Sequence, residues 1–137
     1  MRRLIQEQGL EDKIMVDSAG TSAYHSGDAP DSRAISCAFA HGLDITMLRS
    51  RPLRADDFAE FDLILAMDGM NIVDMEYRRP LGDERYNHAR IELILNYAPE
   101  FGQEVPDPYY HNGFDKVFTM LETACRNLLT QLTTQLG

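Results

Sequence analysis

The sequence has two cysteines, Cys37 and Cys125, too few for a disulfide framework, and a reducing cytoplasm is the expected compartment. Positive charge is scarce as well. Thirteen Lys and Arg stand against 22 Asp and Glu, a net charge of −9. Nucleic acids and anionic membrane surfaces both want a basic patch, so neither is an expected partner. The longest apolar run, Leu63 to Met67, is far too short to cross a bilayer. The apolar stretch behind Met1-Arg2-Arg3 ends at Ile5, so no secretory leader is expected. There is no internal repeat and no low-complexity segment. Common reactive signatures are missing too: no Gly-x-x-x-x-Gly-Lys loop, no Gly-x-Ser-x-Gly elbow, no His-Glu-x-x-His. His25, His41, His88 and His111 are scattered, with no second ligand at metal spacing, and no metal site is expected.

What remains suits one globular domain over residues 1–137. Short apolar runs alternate with helical patterns, the signature of an α/β domain with a mostly parallel sheet. Residues 2–8 read as a helix stopped by Gly9, and Lys13 to Asp17 as a strand running into the turn Ser18-Ala19-Gly20-Thr21. A second helix is expected from about Asp31, a plausible N-cap, to His41, with Ile35, Ala38 and Phe39 as its apolar face and Gly42 as its stop. Asp56 to Glu60 reads as a short helical turn. Leu63 to Met67 is apolar on both faces, as a buried parallel strand requires. Asp68 can cap a helix to about Glu76, Arg90 to Leu95 is a third strand, and a long helix covers Gly113 to Leu136. In that last helix Phe114, Val117, Phe118, Leu121, Cys125, Leu128, Leu129, Leu132 and Leu136 recur at helical spacing and form a core face. The methionines fall in or beside apolar segments and read as core packing, and both cysteines as small buried residues.

The segment Val105-Pro106-Asp107-Pro108-Tyr109-Tyr110 is the most informative. A carboxylate held between two prolines has a restricted backbone. It reads either as a rigid loop before the last helix or as a positioned proton donor beside an aromatic-walled slot. Asp107-Pro108-Tyr109-Tyr110 ahead of a long terminal helix resembles the general-acid loop of the low-molecular-weight protein tyrosine phosphatases. Val16-Asp17-Ser18-Ala19-Gly20-Thr21, Pro30-Asp31-Ser32-Arg33-Ala34, the run Asp57 to Asp68, and Asn71 carry the same resemblance in order and spacing.

The resemblance implies a flavodoxin-like α/β three-layer sandwich with a mostly parallel sheet, whose first strand is absent from these residues. It implies a hydrolase of phosphotyrosine proteins or small aryl phosphates, needing no cofactor. Asp107 would be the general acid and then base. Tyr24, Tyr109 and Tyr110 would wall the substrate slot, with Ser18, Asp68 and Asn71 in support. Ser18 reads otherwise as a plain turn serine, and Asp68 first as a helix cap. The family often has a bracing His near position 48, where this chain has Leu48.

One departure is large. The family's nucleophile lies in a Cys-x-x-x-x-x-Arg-Ser loop, and no such spacing occurs here: Leu43 stands six residues after Cys37, and Gln131 six after Cys125. Without the thiolate and its anion cradle, Asp107 has no reaction to assist, so the expectation is an inactive form. The alternative is a non-catalytic binding or regulatory homologue that self-associates as a homodimer through an exposed sheet edge. A thiol-dependent arsenate reductase would need resolving cysteines after Met67-Asp68, and none occurs before Cys125. A piece of a longer chain and a genuine short form would both give this sequence.

Overall fold

The computed structural model describes residues 1–21, 26–108 and 113–136. Its helices are α1 (Arg2–Glu7), α2 (Ser32–Ala40), α3 (Ala55–Glu60), α4 (Gly69–Arg78) and α5 (Gly113–Leu136), and its strands are β1 (Leu63–Ala66) and β2 (Arg90–Leu93). Two compact units result: Met1–Asp17 with Ile94–Gly137, and Ser18–Leu93.

The first unit is helix on helix. α1 is short and ends where Gly9 takes a φ of 67°, a left-handed conformation that costs glycine little. There the Gly9 N–H donates to Gln6 and the Leu10 N–H to Ile5, closing the last turn. Leu4 and Ile5 bury against Leu129 of α5, with Met1, Leu10, Ile14, Val16 and Cys125 packed around them. The buried residues of α5 are Met120, Ala124, Leu128 and Leu129. The first three lie four apart, on one ridge of the helix. The expected face was displaced by a fraction of a turn: Leu128 and Leu129 belong to the core, whereas Leu136 is exposed. Ile94 and Leu95, in a 3₁₀ turn after β2, are buried in contact with α5.

The second unit is built on sheet pairing. β1 and β2 run parallel in register Leu63↔Arg90 to Ala66↔Leu93. Phe58, Ala66 and Met75 form the buried centre, with Leu53, Ile64, Ile72, Tyr86, Ile91 and Leu93 against it. Arg79 of the segment after α4 lays its guanidinium over the Phe58 ring, 5.0 Å from the centroid. Asp31 caps α2 as expected, its carboxylate accepting from the Arg33 N–H at 2.8 Å.

Three expectations are corrected. Residues 13–17 form no strand: Ile14 and Val16 do turn inward, as alternation requires, but no strand among the described residues offers them a ladder. The strand from Arg90 stops at Leu93, because Ile94 and Leu95 curl into the turn that meets α5. Phe39 is not on the buried face of α2. It is 76% exposed, while Ala38 beside it is buried.

Candidate functional site

β1 delivers the chain to a turn that two of the expected supporting residues close. The Asp68 carboxylate accepts from the Asn71 N–H at 2.8 Å, and the Asn71 side-chain oxygen accepts from the Met67 N–H at 3.1 Å. Asp68 is therefore the N-cap of α4, and Asn71 ties the end of β1 back to the first turn of that helix. The first bond satisfies an amide that would otherwise be orphaned in the opening turn of α4.

Ser18 is exposed at the start of a loop whose two described ends are fixed to one extended segment. On one side the Gly20 N–H donates to Arg51, and the Leu53 N–H donates to Gly20. On the other the Gly27 N–H donates to Ser50, and the Ser50 N–H donates to Asp28. Tyr24, between these ties, lies outside the described residues. Leu48 just upstream is exposed and brings no side-chain donor to the region.

The segment that holds the loop is itself anchored by a pair the sequence reading did not single out. Asp57 is 2% exposed, and Arg51 donates to it through two nitrogens at 2.9 and 3.1 Å. The Arg54 N–H adds a third bond at 2.8 Å. Burial pushes the Asp57 carboxyl up, but the Arg51 guanidinium and the Arg54 N–H outweigh it and hold the group below its usual range. The sequence signal for Asp57 was its place three residues after Arg54, at the N3 position of α3, where a carboxylate reaches back to the helix start. Nothing in the sequence pointed to Arg51 as its partner.

Asp107 lies in the other unit, exposed, on the segment that enters α5. Its neighbourhood is set by Gly113: a Cβ there would stand 2.6 Å from the Pro108 carbonyl oxygen and 2.9 Å from Pro108 Cα. Only glycine lets the helix start approach the Asp107-Pro108 backbone so closely. Tyr109 and Tyr110 lie outside the described residues. Cys125 of α5 packs against the Leu4, Ile5 and Leu129 cluster, and burial pushes its thiol up, away from the thiolate a nucleophile needs. Cys37 and His41 correct the picture of isolated histidines: one turn apart at the end of α2, they bring a thiol and an imidazole within 4.8 Å.

A family model described as low molecular weight phosphotyrosine protein phosphatase matches residues 1–136. The chain belongs to the low molecular weight phosphotyrosine protein phosphatase family. It is 47% identical over 135 residues to a Synechocystis sp. protein named for this family, covering 96% of this chain and 83% of that one. It is 35% identical over 134 residues to the low molecular weight phosphotyrosine protein phosphatase of Sus scrofa, covering 96% and 82%. The crystal structure of a protein tyrosine phosphatase from Entamoeba histolytica superposes with a TM-score of 0.86 at 36% identity, covering 99% of this chain and 86% of that one. The fold is accordingly the flavodoxin-like α/β fold of the low molecular weight phosphatases. Among the described residues no helix is long and apolar enough to cross a membrane.

Proposed function

We propose that residues 1–137 are one domain built for hydrolysis of phosphotyrosine proteins and small aryl phosphates, and that alone they turn over neither. The observation that carries the substrate class is Asp107-Pro108-Tyr109-Tyr110 ahead of α5, in a chain matched by the phosphotyrosine phosphatase family over residues 1–136. The inactivity rests on chemistry. Neither cysteine is followed by Arg at the sixth position, and the Cys125 thiol is buried and pushed up.

In this reading Asp107 gives its proton to the departing phenolate oxygen as the P–O bond breaks and the phosphoryl group passes to a cysteine sulfur. The Asp107 carboxylate then takes a proton from the water that attacks phosphorus, and the P–S bond breaks. Tyr24, Tyr109 and Tyr110 wall the slot for the phenyl ring. Asp68 and Asn71 hold the end of β1 that faces the reaction, and Ser18 braces the nucleophile loop. No cofactor is required. The same reading makes the protein cytoplasmic, with neither nucleic acid nor membrane as its partner. It also gives it a seam for self-association at the edge of β1 opposite β2, which has no strand among the described residues.

The test is p-nitrophenyl phosphate hydrolysis. The 137-residue chain is expected to give no rate above buffer. A strand and a Cys-x-x-x-x-x-Arg-Ser loop fused ahead of Met1 should create a rate, and Asp107→Asn should lower it by roughly 10²–10⁴. A rate from the unfused chain that Asp107→Asn abolishes would sink the inactivity. A fused chain that is active and indifferent to Asp107→Asn would sink the role of Asp107.

A further inference from the structure

α4 is anchored by one face only. Met75 is buried and Ile72 packs beside it on the Phe58 core. On the opposite face three large apolar side chains recur at helical spacing, Met70 at 66%, Val73 at 60% and Tyr77 at 91% exposure. Leu81, just past the helix end, is 94% exposed. With about 3.6 residues per turn, Met70, Val73 and Tyr77 fall on a single stripe. Single exposed apolar residues are ordinary, but an apolar row on an otherwise amphipathic helix marks a contact surface.

The charges beside the row decide its occupant. Asp74 flanks it on one side and Glu76 on the other, with Arg78 at the C-terminal end of the Asp74 side. Arg79 is turned away, its guanidinium stacked on Phe58 and bonded to the Ala89 carbonyl at 2.6 Å. A second copy packed stripe to stripe would set Asp74 and Glu76 against like charge, in a chain of net charge −9. An anionic membrane meets the same repulsion. We propose that the exposed face of α4 docks a basic amphipathic helix of a partner protein, its apolar residues laid along Met70, Val73 and Tyr77 and its Lys or Arg side chains facing Asp74 and Glu76. The surface begins at Met70, two residues past Asn71's partner Asp68, so a partner seated there lies alongside the turn that follows β1. The inference needs no catalytic activity and stands or falls separately from it.

The probe is a fluorescein-labelled 18-residue helix of Leu and Lys with every Leu on one face, followed by anisotropy against the 137-residue chain. A scramble of the same composition, with Leu spread around the helix, controls for bulk charge. Expected are saturable binding of the one-faced peptide, about tenfold weaker binding of the scramble, and a loss of about tenfold in Val73→Ser/Tyr77→Ser. Reversing the flanks with Asp74→Lys/Glu76→Lys should shift preference to a Leu and Glu helix. These positions are exposed or half-buried on the surface, and an unchanged melting temperature checks that the variants fold. The proposal is overturned by equal binding of the scramble, or by binding indifferent to Val73→Ser/Tyr77→Ser. It is equally overturned by no binding, or by self-association of the wild type that Tyr77→Ser abolishes, which would make a second copy the occupant.

Discussion

The two units solve the same problem, satisfying backbone groups around a small core, by different means. In Ser18–Leu93 a parallel ladder and a buried ion pair fix the backbone, and side chains bond to main chain at the start of every helix: Asp31, Asp57 and Asp68 all accept from N–H groups. In Met1–Asp17 with Ile94–Gly137 the core is made by α1 lying on α5, and Ile14 and Val16 pack inward with no ladder among the described residues, while Met15 between them is exposed. Both units have an apolar centre, but side-chain bonds to the backbone at helix starts are described mainly in Ser18–Leu93. The residues assigned to chemistry divide in the same way. Ser18, Asp68 and Asn71 sit in the hydrogen-bonded unit, while Asp107 sits in the packed one, held by the start of α5.

Truncating the centre of each core gives the largest effects and tests whether the comparison concerns one cooperative domain. Phe58 and Leu129 are both essentially inaccessible to solvent. Phe58→Ala should cost about 4 kcal/mol and Leu129→Ala about 3 kcal/mol, transfer and cavity contributions together. If residues 1–137 form one domain, each variant lowers a single unfolding transition, and hydrogen exchange accelerates at both Ala66 and Leu95. Two resolved transitions, only one of which moves with each variant, would break the one-domain reading.

Those two residues also show how far the sequence could be read. Leu129 was visible because an amphipathic helix repeats a local pattern, and burial follows from the period alone. Phe58 was not singled out, since a six-residue helix is too short to declare a face, and its burial depends on contacts with Ala66 and Met75. Asp68 as a helix cap was legible for the same local reason as Leu129. The strand expected at 13–17 failed because a strand is half a structure: the alternation of Ile14 and Val16 reports burial, and only a partner makes a ladder. The Arg51–Asp57 pair was invisible because nothing in a six-residue spacing outside a regular element states that two side chains meet.

That pair supplies the next test. Arg51→Met leaves the Asp57 carboxylate buried with only its backbone donor and should cost roughly 3 kcal/mol at pH 7. The sign with pH follows from the depressed folded value. A carboxyl held below its unfolded value of 3.8 contributes stability above that value and loses it as pH falls through the folded one. In Arg51→Met burial acts unopposed by the guanidinium and favours the protonated acid. The gap between wild type and variant in urea midpoint should therefore narrow below about pH 4. A gap independent of pH would mean that Arg51 contributes packing alone. The variant should also speed exchange of the Gly20, Gly27 and Leu53 amides, because the segment at 50–53 holds both described ends of the loop that carries Tyr24.

The smallest effect is at the entry to α5, where the packed unit positions the carboxylate proposed as the acid. Alanine in place of Gly113 would gain helix propensity, but its Cβ would meet the Pro108 carbonyl oxygen at 2.6 Å. Backbone on both sides leaves no flexible side chain to move, so either the helix start or the Asp107-Pro108 segment must shift. Overpacking of this kind costs about 1 kcal/mol or somewhat more, against a propensity gain of under about 1 kcal/mol at a helix end. Gly113→Ala should thus melt slightly lower than wild type, with amide shift changes concentrated at Asp107 and at the first turn of α5. In the fused form the proposed role of Asp107 predicts a lower kcat, because a displaced acid weakens proton delivery in the transition state. A variant more stable than wild type, with Asp107 resonances unmoved, would show that this loop yields freely.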